Sequence, residues 1–180
     1  MKLKALIAAL AVAAVLPVAA SADTASAADK ANGARACQAL KASLGASFAA
    51  TYGTNADKSN AFGKCVSKWT QTERQNRNAA EQACAAEAAD AGFAASHEGK
   101  SFAQVYGSGK KGANALNGCI QAKQATARTA AKAAVVKASR SCRAERGSMG
   151  AAAFKAKYGT NADKSNAFGK CVAKLAAAKQ

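Results

Sequence analysis

Residues 52–66 read YGTNADKSNAFGKCV, and the same fifteen residues return unchanged at 158–172. A third, divergent relative, YGSGKKGANALNGCI, occupies 106–120. In every copy a Phe stands four residues before the Tyr and a Cys thirteen after it: Phe48, Tyr52 and Cys65; Phe102, Tyr106 and Cys119; Phe154, Tyr158 and Cys171. A second Cys precedes each Phe, at Cys37, Cys84 and Cys142. Six cysteines in three pairs, one pair per repeat of about fifty residues, describe a set of similar units.

Around the first Cys of each unit the pattern is helical. In ARACQALKASLG, Cys37, Leu40 and Leu44 recur at helical spacing. The Gly after each Tyr (Gly53, Gly107, Gly159) predicts a left-handed residue that closes the helix, and TNADKS predicts a turn. Asn60, Asn114 and Asn166 are candidates to cap the next helix, with Asp57 or Ser59 as alternatives. Within that helix Phe62, Cys65, Val66 and Trp69 share a face. Each unit is thus expected to be a helix, a turn and a helix running back.

The intervals between units constrain the cysteine pairing. Cys65 and Cys84 are nineteen residues apart in a stretch without Pro or Gly; on one helix they stand about 28 Å apart. Cys119 and Cys142 are 23 residues apart in a similar stretch. Neither pair reaches disulfide distance. Of the roughly fifteen pairings open to six cysteines, the economical one joins Cys37 to Cys65, Cys84 to Cys119 and Cys142 to Cys171.

Such bridges have work to do. Of the 180 residues 54 are alanine, and from Asp23 onward only sixteen of 158 are Leu, Ile, Val or Phe. That fraction leaves no large conventional core. The expected fold is all-α: three disulfide-pinned helical hairpins (34–66, 84–120 and 142–172) joined by longer linker helices over 67–83 and 121–141. A flexible segment is expected at 23–33 and a tail at 173–180.

The N-terminus has the parts of an export signal: Lys2 and Lys4, the apolar run from Ala5 to Leu16, then Pro17 and small residues. The run is too short to cross a bilayer, so residues 1–22 are read as a cleaved signal peptide, with the cut between Ala20 and Ala27. The expectation is a secreted or cell-envelope-associated protein with oxidised cysteines and no transmembrane segment after cleavage. YGTNADKSNAFGKCV, preceded by Phe and repeated in a small alanine-rich exported chain, resembles segments of uncharacterised, cysteine-pair repeat proteins secreted by actinobacteria. The resemblance implies a compartment and a lineage, and no activity. The middle unit departs from the pattern, with SGKKGANALNGC in place of TNADKSNAFGKC.

Beyond the signal, 24 Lys and Arg oppose 10 Asp and Glu, a net charge of +14 (24 − 10). From Gln121 to Arg146 there are seven cations, Lys123, Arg128, Lys132, Lys137, Arg140, Arg143 and Arg146, against Glu145 alone. Arg128, Lys132, Arg143 and Arg146 fall within about 60° on a helical wheel. The expected polyanion-binding set is Lys123, Arg128, Lys132, Arg140, Arg143 and Arg146, attracting phosphates or carboxylates with counterion release. Base-specific nucleic-acid reading is not indicated.

Other chemistry is poorly provided for. Asn55, Asp57 and Ser59 space oxygens as a calcium loop does, but Val66 stands where a bidentate Glu belongs. The cysteines lack zinc spacing, and His97, beside Glu98, is the only histidine. No nucleophile or oxyanion site accompanies it, so no catalytic residue, metal or cofactor is expected. The expected role is a non-enzymatic basic repeat protein that binds anionic polymers of the envelope or extracellular nucleic acid. The alternatives are a cationic membrane-active effector and a scaffold for a partner protein.

Overall fold

The computed structural model describes residues 24–109 and 112–178; the signal-peptide reading of 1–22 lies outside the described residues. The described residues form eight α-helices and no β-strand: α1 (Ala27–Leu44), α2 (Ser47–Tyr52), α3 (Ala61–Ala89), α4 (Phe93–Ser96), α5 (Phe102–Tyr106), α6 (Ala115–Met149), α7 (Ala151–Tyr158) and α8 (Ala167–Ala177). The all-α class is as expected. So are the bridges: Cys37–Cys65, Cys84–Cys119 and Cys142–Cys171, with Cα separations of 5.9, 5.9 and 6.1 Å.

The linkers have no boundaries of their own. α3 runs unbroken through Cys65 and Cys84, and α6 through Cys119 and Cys142. At 1.5 Å per residue they are about 43 and 52 Å long. The Cys84–Cys119 bridge and the Glu73–Arg128 pair tie them together antiparallel. The first and third units therefore meet at one end of a folded-back bundle, where Lys58 Nζ lies 3.5 Å from Ser165 O, and the middle unit sits at the other. An open repeat array would have left the long helices unpaired; instead they pack on each other and on α1.

Two segments, one at each end of the described residues, are more ordered than the sequence suggests. The stretch 23–33 was expected to be flexible, but α1 begins at Ala27. Ser26 and Asp29 form a reciprocal capping box, and the Asp29 side chain, 1% exposed, meets Arg77 Nε of α3 at 3.3 Å. At the other end α8 continues through Ala177 and buries Ala176, so most of the expected tail at 173–180 belongs to the bundle.

Two small cores flank the junction. Leu40, Leu44, Phe48, Tyr52 and Trp69 pack around Cys37–Cys65. Phe154, Tyr158, Phe168 and Val172 pack around Cys142–Cys171. Val135 of α6 touches both. The middle unit has instead a cluster of rings, Phe93 with His97, Phe102 and Tyr106.

The repeated turn works differently from its sequence reading. Gly53, Gly107 and Gly159 are extended, with φ of −70°, −79° and −72°. Their lack of a side chain answers a close approach: a Cβ on Gly53 would lie 2.6 Å from Lys58 Cβ and 2.7 Å from Ala49 O. The left-handed residue comes five positions later, at Lys58 (φ 60°) and Lys164 (φ 54°), where the middle unit has Gly112 (φ 61°). Nor do Asn60 and Asn166 cap with their side chains. Each clamps the turn, accepting from the N–H of Thr54 or Thr160 at 3.0 Å and donating to the same threonine's Oγ1 at 2.8 Å. Asn114 makes no side-chain cap bond.

Urea unfolding of two variants tests this reading of the turn. Gly53→Ala is expected to cost about 1–3 kcal/mol through overpacking, whereas Lys58→Gly, the middle unit's own choice, changes stability by less than about 1 kcal/mol or raises it. A harmless Gly53→Ala contradicts the close-approach account.

Candidate functional site

The seven cations on α6 divide into two groups once their surroundings are known. Lys123 Nζ lies 2.7 Å from Glu87 Oε1 of α3. Arg128 forks onto Glu73, with Nε donating to Oε1 at 2.6 Å and Nη2 to Oε2 at 2.7 Å, and the Glu73 side chain is fully buried. These two members of the expected polyanion-binding set are engaged with acids of α3. A helical wheel of α6 cannot show them as paired, because their carboxylates stand on the other long helix, 55 residues earlier for Arg128 and 36 for Lys123. Glu73 holds the Arg128 guanidinium pKa above its ordinary value, and Glu87 does the same for the Lys123 ammonium.

The other four members are free of acid partners. Among the described residues no carboxylate lies within ion-pair distance of Lys132, Arg140, Arg143 or Arg146, or of neighbouring Lys137. Arg140, Arg143, Arg146 and Lys137 are exposed and Lys132 is half-buried. Lys132, Lys137 and Arg140 border a groove of about 680 Å³ between α1 and α6, lined also by Leu40, Val136 and the small residues Ala39 and Ser43. Exposed Lys155, Lys164, Lys170 and Lys174 of the third unit extend the positive surface.

Glu145, the single anion of the basic stretch, is already occupied. Lys157 Nζ lies 2.6 Å from Oε1, and Tyr158 OH donates to the carboxylate at 2.9–3.0 Å. The Lys157 contact, then the tyrosine hydroxyl, holds the Glu145 carboxyl below the usual carboxylate range. The middle unit repeats the device. Glu87 accepts from Lys123 and from Tyr106 OH at 3.1 Å, and its carboxyl is likewise held low, by Lys123 first. Both glutamates stand three residues after the first Cys of their unit. In the first unit Leu40 takes that place, and Trp69 Nε1 donates to the Tyr52 hydroxyl at 3.0 Å instead.

The remaining sequence candidates fall into packing and turn roles. His97 stacks on Phe93 with ring centroids 3.8 Å apart, and its Nδ1 lies 2.9 Å from Phe93 O. In the first turn Asp57 Oδ1 accepts from Ser59 N and Oγ, and Asn55 Nδ2 donates to Ser59 Oγ. The three oxygen-bearing side chains are thus bound to one another. Among the described residues no group of three or more His, Cys, Asp or Glu is placed to hold a metal ion.

No family model, curated protein or solved structure matches the chain. The partner acids Glu73, Glu87 and Glu145 were not singled out from the sequence as site residues. The common offset of Glu87 and Glu145 from the first Cys was the signal that could have found two of them.

The division of the cations is testable by substitution. Arg128→Met strands the buried Glu73 carboxylate and is expected to cost about 3 kcal/mol in urea unfolding, while the folded variant keeps its affinity for a sulfated polymer. Arg143→Met should reverse both effects, with stability within about 0.5 kcal/mol and weaker binding. Equal loss of affinity in the two variants contradicts the division.

Proposed function

We propose that this chain is a secreted, non-enzymatic basic repeat protein that binds anionic polymers of the cell envelope, or extracellular nucleic acid. The observation that carries the reading is the run Lys137, Arg140, Arg143 and Arg146: four exposed cations without acid partners, along about 14 Å of one rigid helix. A surface that only needed solubility would be served by cations of either kind, paired or unpaired. Here the pairable ones are sequestered against α3 and the unpaired ones are gathered at one end, beside the third unit's lysines. Such a surface attracts phosphate or carboxylate chains by displacing their counterions, and it reads charge spacing rather than bases.

Export fits the rest of the chain. Three disulfides persist in oxidising compartments, and no described helix is long and apolar enough to cross a membrane. The resemblance to secreted actinobacterial repeat proteins points the same way. Membrane attack is less well supported, because Val135 and Val136, the large aliphatic residues of the basic stretch, pack against the core. An interfacial helix needs such residues on an open face.

Retention of the oxidised protein on isolated envelope and on a sulfated polymer, with salt raised from about 50 to 500 mM, tests the reading. Binding to both should fall steeply, and replacing Arg140, Arg143 and Arg146 by Gln should flatten the log–log salt slope by about 0.9 for each cation that meets a phosphate-like group. Absence of retention at low salt, or a slope unchanged by the triple substitution, refutes it.

A further inference from the structure

A second site lies where the first and third units meet. Gly169 of α8 comes so close to α2 that a Cβ there would be 2.7 Å from Thr51 O. Phe168 is 7% exposed, whereas its sequence twin Phe62 is 38% exposed. This docking closes a pocket of about 190 Å³ whose lining includes Tyr52, Lys68, Trp69, Val135, Val172 and Ala176. Lys68 is the one charged residue in the lining.

Two features of the pocket ask for an anion. Lys68 Nζ has no ion pair or hydrogen bond among the described residues. Tyr52, buried in the first core, accepts from Trp69 Nε1, but its own O–H proton has no acceptor among the described residues. In the other two units the equivalent hydroxyl donates to Glu87 or Glu145; here the corresponding acid is replaced by Leu40. The hydroxyls of Thr51 and Thr72 are committed within their own helices, donating to the carbonyls of Ser47 and Lys68, so Lys68 and Tyr52 are the groups left to meet a ligand.

We propose that this pocket binds a small monoanion with an apolar body, its carboxylate accepting from Lys68 Nζ and the Tyr52 hydroxyl and its hydrocarbon part lying against Trp69, Val135 and Val172. The walls lower the Lys68 pKa by desolvation, and a bound carboxylate raises it again. The inference is independent of polyanion binding by α6. Lys174, the twin of Lys68, lines none of this pocket, which draws Tyr52, Lys68 and Trp69 from the first unit and Gly169, Val172 and Ala176 from the third.

Trp69, the chain's single tryptophan, reports on the pocket directly. Its fluorescence in the oxidised protein should change saturably with benzoate or isovalerate and not with benzamide. Lys68→Met, which removes the ammonium and keeps most of the side chain's apolar length, should weaken carboxylate binding at least about ten-fold, roughly 1.4 kcal/mol. Tyr52→Phe, with its fold checked by circular dichroism, should weaken it as well. An equal response to benzamide, unaltered binding by Lys68→Met, or no saturation by either acid below about 10 mM overturns the proposal, whatever the result with sulfated polymer.

Discussion

The bridges Cys37–Cys65, Cys84–Cys119 and Cys142–Cys171 are the constraint on which the other contacts depend. Each closes a loop of 28 to 35 residues, and on chain-entropy reasoning each contributes about 3–4 kcal/mol. The two small cores pack directly around two of them, with all six cysteines fully buried. In a chain where more than a quarter of residues are alanine, helices have good intrinsic propensity but little to bury. The covalent links hold α1, α3, α6 and α8 at contact distance, and the sparse aromatic and aliphatic side chains then suffice to fix their orientation.

With the backbone held, buried and half-buried ion pairs set the register between long helices. Asp29–Arg77 joins α1 to α3, and Glu73–Arg128 and Glu87–Lys123 join α3 to α6. An alanine surface tolerates sliding, and a fully buried carboxylate does not, because any slip leaves it unpaired. The folded-back arrangement also gives the duplicated segments unequal environments. Their local parts match: Phe48–Tyr52 and Phe154–Tyr158 ring centroids stand 5.1 and 5.0 Å apart, and both turns carry the same asparagine clamp. Their outward faces do not match, since the third copy docks on α2 and the first faces solvent.

Most of the local and covalent design was legible in the sequence. The Phe–Tyr–Cys spacing revealed the units, the helical intervals ruled out Cys65–Cys84 and Cys119–Cys142, and among the remaining pairings the economical one, within units, is the one the structure has. The site was less legible because charge along one helix says nothing of the carboxylates on another: Lys123 and Arg128 looked like their neighbours Arg143 and Arg146. The turn glycines were misread for a related reason, since close approach of Lys58 to Gly53 arises only once the turn has folded. The order of 27–33 depends on Asp29 reaching Arg77, a tertiary contact that composition cannot disclose. The pocket at Lys68 is a product of unit docking and has no signature in either copy alone.

The central claim, that covalent closure substitutes for a large core, is tested most directly by comparing urea unfolding of the oxidised protein with that of the fully reduced protein at neutral pH. The oxidised chain should show one cooperative transition, while the reduced chain should lose most of its stability, about 3–4 kcal/mol for each bridge on the loop-closure estimate, and show little cooperative tertiary structure. A reduced protein that unfolds cooperatively within about 1 kcal/mol of the oxidised form would show that packing and ion pairs hold the bundle by themselves, and would contradict the account.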